Sequence, residues 1–175
     1  MYLRRSFAIF VMSCLVPLGT AFAQFPDTAD SWYRESILEL QQRGIVRGHG
    51  DGLFRPRQQV TRAEMLKIAM EAAKLYPQPD SSFACFPDVV ASAWYTPYIC
   101  TAKQAGIAKG HIDGNFRPNG AVTVHEALAF LARTLRLPVD DDGSTQHWYE
   151  PYEAFAQAEE FIAADRYNVT QNVLR

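Results

Sequence analysis

The 175-residue chain has only three cysteines and no excess of basic charge, its 17 lysines and arginines standing against 19 acids. Without a stripe rich in lysine and arginine, a protein that coats a polyanion is excluded and no nucleic-acid partner is expected. No apolar run reaches the roughly 20 residues that a membrane-spanning helix needs, so no span is expected once a leader is removed. A Gly-x-Ser-x-Gly elbow, a phosphate-cradling loop and a nucleophilic cysteine with an assignable base are all missing. Carboxylates that might be paired for glycoside cleavage, such as Asp51 with Glu64, already have turn and cap duties. No catalytic residue is assigned, and the chain is not expected to be an enzyme.

The first 23 residues are expected to form a signal peptide. Arg4-Arg5 give a basic start, Phe7 to Leu18 an apolar stretch, and Ala21-Phe22-Ala23 the small-x-small pattern that a signal peptidase cuts. The exported chain would start at Gln24 with 15 basic residues against 19 acidic ones, a charge near −4. Cys14 leaves with the leader, and Cys85 and Cys100 remain. In an oxidising compartment an even pair reads as a disulfide, with two buried free thiols as the alternative.

What the chain does have is one sentence written twice. Phe25-Pro26-Asp27, Trp32-Tyr33, Gly44-Ile45, Gly48-His49, Asp51-Gly52, Phe54-Arg55-Pro56, Val60-Thr61 and Glu64 return as Phe86-Pro87-Asp88, Trp94-Tyr95, Gly106-Ile107, Gly110-His111, Asp113-Gly114, Phe116-Arg117-Pro118, Val122-Thr123 and Glu126. A fixed period of this kind means one supersecondary unit reused, each copy unable to bury its apolar face alone. Every copy parses as helix, glycine-rich turn, helix. Asp30 or Ser31 is expected to cap the first helix, whose face is Tyr33, Ile37 and Leu40, and Gly44 ends it. Phe54 and Phe116 are the apolar teeth of the connectors. Thr61-Arg62-Ala63-Glu64 and Thr123-Val124-His125-Glu126 are capping boxes, in which threonine and glutamate satisfy each other's end of the backbone. Beyond the boxes, Ala63, Leu66, Met70 and Ala73 form one stripe, and Ala127, Leu128, Leu131 and Leu135 its counterpart.

A third copy begins at Trp148-Tyr149-Glu150-Pro151-Tyr152 and then loses the pattern. The expected division is a signal peptide at 1–23, repeats at 25–76 and 86–138, linkers at 77–85 and 139–146, and a partial third repeat at 147–175. His49 and His111 share a register but have no partnered ligands, and Asp51 and Asp113 lack the alternating oxygens of a calcium loop. Neither metal nor cofactor is expected. Trp32 and Trp94 read first as core residues, since aromatics dominate core burial.

The ordered set Phe-x-Asp, Trp-Tyr, Gly-Ile, Gly-x-x-Asp-Gly-x-Phe-x-Pro and Thr-Arg-Ala-Glu resembles the S-layer homology domain, over residues 25 to about 137 well and 148–175 poorly. The resemblance implies a mainly α fold, with helix-loop-helix units set as a pseudo-threefold helical bundle bearing prong-like loops. It also implies a secreted protein of the cell surface that attaches non-covalently to cell-wall polysaccharide, often through an acidic ketal such as pyruvate. Grooves between repeats would be the sites, with Arg62 as the leading ligand residue, Thr61 and Glu64 shaping its box, and Trp32 and Trp94 offering faces to sugar rings. A forked guanidinium at a helix start with free amides suits a carboxylate. Thr123, His125 and Glu126 would form the second, weaker site, because Val124 replaces the arginine. The other expectation is an assembly module of the surface layer, completing its third repeat with itself or another envelope protein.

Overall fold

The computed structural model describes residues 25–77 and 85–161. The expected leader, most of the first linker and the end of the partial third repeat lie outside them. Among the described residues the chain is helical, with five α-helices and no sheet: α1 (Arg34–Gln42), α2 (Arg62–Ala72), α3 (Thr96–Gln104), α4 (Val124–Leu135) and α5 (Glu150–Ala158).

Local chemistry makes these elements. Both capping boxes form as read: Thr61 Oγ1 accepts the Glu64 amide while Glu64 accepts the Thr61 amide, and Thr123 and Glu126 do the same. Gly44 and Gly106 end α1 and α3 with φ of +72°, where a Cβ would be strained. Asp30 and Ser31 do not cap α1; Tyr33 stands at the cap position without a side-chain bond, because residues 30–33 are wound in turns of their own.

The prongs are held by the opening triplet of each unit. Asp27 accepts the amides of Phe54 (3.0 Å) and Arg55 (2.6 Å), and Asp88 those of Phe116 (2.8 Å) and Arg117 (2.6 Å). Arg55 and Arg117 sit in left-handed backbone, φ 58° and 60°, which these paired bonds stabilise. Desolvation works against ionisation of Asp27, yet the two amides hold its carboxyl below the usual range. Phe25 and Phe86 close the base of each prong. A Cβ on Gly110 would stand 2.9 Å from the Phe86 ring, and Phe25 lies closer still to Gly48, so only glycine fits there.

Packing runs across the repeat boundary. Leu66, Ala69 and Met70 of α2 share the largest core with Ile99, Ile107, Phe116, Val122 and Phe130 of the second unit, whereas Phe25, Ile37 and Phe54 form a small cluster apart. α2 packs on α3 and α4, and α4 packs on α5. The α4 stripe differs from the expected one. Ala127 and Phe130 face the main core, Ala129 and Ala132 face Tyr152, and Leu135 is exposed, because α4 is covered on two sides.

Cys85 and Cys100 form the disulfide, with Cα atoms 5.3 Å apart and a sequence separation of 15. Closing a loop of that length contributes about 3 kcal/mol by restricting the unfolded chain. Reductant should therefore lower the melting temperature by several degrees. The double variant Cys85→Ser/Cys100→Ser should melt at the lower temperature and ignore reductant; equal melting with and without reductant in the native chain would exclude a stabilising bond.

Candidate ligand-binding grooves

Arg62 does not stay with its own box. It is nearly buried, its side chain 5% exposed, and it crosses into the second unit. Nε donates to the Phe116 carbonyl (2.7 Å), Nη1 meets Glu126 Oε1 at 2.7 Å, and the guanidinium lies 4.7 Å and 5.3 Å from the centres of the Phe116 and Phe130 rings. The backbone follows: the amides of Arg62 and Ala63 donate to Gly120 and Pro118, and Thr61 bridges to Ala121. The start of α2 thus has no free amides for a ligand, against the expectation, because the loop of the second unit has taken them.

Two grooves occupy matching places. The first, about 420 Å³, lies between the prong residues Arg47 and Gly48, the α2 residues Glu64, Lys67 and Ile68, and Trp94. The second, about 360 Å³, lies between Lys109 and Gly110, the α4 residues Glu126, Ala129 and Phe130, and Trp148. Position by position these are equivalent, with Arg47 answering to Lys109, Glu64 to Glu126 and Ile68 to Phe130. Their chemistry is not. The first is otherwise apolar, lined by Leu40, Ile45, Val46 and Met65. Arg62, Arg133, His111 and Asp141 line the second.

One pair of positions sharpens the difference. At the contact of α2 with α3, Tyr98 donates to Glu71 (3.0 Å); at the matching contact of α4 with α5, Arg133 donates to the Tyr152 hydroxyl (3.0 Å), which donates to Asp141 (2.7 Å). An acid in one place is a base in the other. Burial and Asp141 raise the Tyr152 phenol above its ordinary value, so it serves as a neutral relay between the two charges.

The remaining sequence-derived residues divide. Glu64 and Trp94 line the first groove, while Arg62 and Glu126 line the second. Thr61 and Thr123 act as caps. His125 lies outside both linings, stacked on Tyr149 at 3.9 Å and 3.6 Å from Glu153. Trp32 is 91% exposed and Trp94 54%, so neither is a core residue; the adjacent Tyr33 and Tyr95 turn inward and take the core place. Asp51 and Asp113 spend their carboxylates on their own turns. The Asn115 amide and Arg117 pull Asp113 down to about 2. Sequence reasoning missed Lys109, His111, Arg133, Asp141 and Trp148 as a set, although the Glu71/Arg133 exchange was visible in the aligned copies.

Each helical unit hands its second helix to the next, and the grooves open at those joints. The model of the S-layer homology domain matches residues 24–66 and 86–123, and the chain belongs to that family as a secreted cell-surface protein. It is 32% identical to the S-layer protein sap of Bacillus anthracis over 78% of this chain and 17% of that protein. With the Surface-layer 125 kDa protein of Lysinibacillus sphaericus it is 29% identical over 95% of this chain and 14% of the relative. An amylopullulanase of Thermoanaerobacterium thermosulfurigenes matches at 34% over 65% of this chain and 6% of the enzyme. The chain spans less than a fifth of each relative. Among the described residues no helix is long and apolar enough to cross a membrane.

Proposed function

We propose that the second groove binds an anionic, carboxylate-bearing sugar of a cell-wall polysaccharide, a pyruvate ketal for example, and that the module attaches non-covalently and without catalysis. The observation that supports this reading is the convergence of Arg62, Lys109 and Arg133 beside the half-exposed Trp148. Guanidinium groups take carboxylates as forked donors, and an indole face suits the apolar side of a sugar ring. The groove's two acids have other work, Glu126 bonded to Arg62 and the Thr123 amide, Asp141 to Tyr152. That leaves neither placed as a general acid.

Pelleting with purified wall fragments tests the reading. Lys109 is exposed, so Lys109→Ala should leave the fold intact and weaken pelleting about tenfold, the scale of one charged hydrogen bond. Arg47→Ala, its mirror in the first groove, should change pelleting less than twofold. Equal pelleting with walls stripped of polysaccharide, or a stable oligomer indifferent to walls, would favour the assembly module instead.

A further inference from the structure

His111 has a nitrogen that nothing in the fold uses. Its turn is rigid: the His111 amide donates to Asn115, and its carbonyl accepts from Gly114. The side chain is 25% exposed at the groove, while Nε2 is buried without a hydrogen-bond partner, 3.9 Å from Glu126 Oε1. That oxygen is the one Arg62 Nη1 holds at 2.7 Å. An unpaired polar atom this close to a carboxylate is one proton away from a bond.

We propose that His111 is a proton-dependent positioning residue for the anion site, loosening the grip of Glu126 on Arg62 when it is charged. The inference rests on the anionic-sugar reading of the same groove. With His111 neutral, Glu126 answers to Arg62 and draws on its charge. With Nε2 protonated, Glu126 is shared between two cations, and the guanidinium edge turns its donors to the ligand. The groove also gains a positive charge. The groups that face the imidazole are Asp113 and Arg117 from its own prong, Arg62 from α2 and Glu126 from α4. Lys109, Arg133 and Asp141 complete the charge around the groove.

Burial first, then Arg62 and Arg117, lower the proton affinity of His111 against the opposing pull of Glu126 and Asp113, so the empty groove holds it neutral at pH 7. A bound anion works the other way. By linkage, binding takes up protons and tightens as pH falls. The ligand-free fold has the opposite slope. A histidine whose proton affinity is depressed on folding contributes stability that is present above its unfolded value and is lost as pH falls through the folded one.

Calorimetry of the full chain with the methyl glycoside of a pyruvate-ketal hexose, from pH 7.5 to 5.5, reads this coupling. The native chain should bind about fivefold tighter at the lower pH, within the usual range of site-to-site coupling. His111→Gln carries no titratable group at this position, so whatever its affinity at pH 7.5, it should show no slope between pH 7.5 and 5.5. Removing the ketal from the sugar should abolish the slope. A flat profile in the native chain, or a slope retained in His111→Gln, would overturn the inference while leaving the binding site intact. No ketal binding at any pH would overturn the anionic-sugar reading, and this inference with it.

Discussion

Arg62→Ala is expected to lose stability and ligand together. The substitution leaves Glu126, 13% exposed, as an unpaired carboxylate, removes the donor from the Phe116 carbonyl and empties the space between two phenyl rings. Breaking a buried pair from one side costs about 3–5 kcal/mol. Chemical denaturation should show that loss as a lower midpoint. The double variant Arg62→Met/Glu126→Gln separates the two roles. Methionine refills the slot between Phe116 and Phe130, and glutamine keeps the capping box with Thr123, so stability should recover to within about 1 kcal/mol of native. Wall binding should stay about ten- to a hundredfold weaker, the worth of a charged hydrogen bond. A double variant that binds walls as the native chain does would remove Arg62 from the site.

Phe116→Ala should be among the most damaging single core changes. The ring is fully buried and meets Phe86 at 5.4 Å, Phe130 at 6.2 Å and the Arg62 guanidinium. Removing a buried phenylalanine costs about 3–5 kcal/mol, the upper end applying where surroundings cannot collapse. Phe54→Ala deletes the same residue of the repeat but from a cluster of three buried residues at the edge, where relaxation is easier. Its cost should be smaller by about 1–2 kcal/mol. Equal costs, read from denaturant midpoints at constant m, would mean that the two units are energetically equivalent after all.

Whatever depends on near neighbours was legible in the chain. Thr61 and Glu64 cap because they stand three apart, Gly44 and Gly106 end helices where a left-handed residue is needed, and Phe54 and Phe116 recur where an apolar tooth must plug the prong. Arg62 stood out in the sequence beside its cap, but not as lining the second groove, because its partners lie 54 and 64 positions away and repetition records what a unit does to itself, not which unit it reaches. The same blindness lowered the standing of the second groove: Val124 follows Thr123 in sequence, yet the arginine serving that groove comes from the unit before. Trp32 and Trp94 misled for a different reason. Bulk alone assigned them to the core, but each stands beside a tyrosine, and only one of two neighbours faces inward. Leu135 failed likewise, since α4 has two covered faces and a single stripe describes one.

The sharing of α2 between two units bears on how such a module holds under load. In the proposed anchoring at the grooves the chain would be pulled through its backbone, and force would pass from the first unit to the second through the docked start of α2, where Arg62, the amides on Gly120 and Pro118 and the Thr61 bridge act in parallel. Bonds loaded side by side must break together, whereas bonds loaded in series open one at a time. The joint that looks like the seam between two repeats is therefore built as a shear clamp.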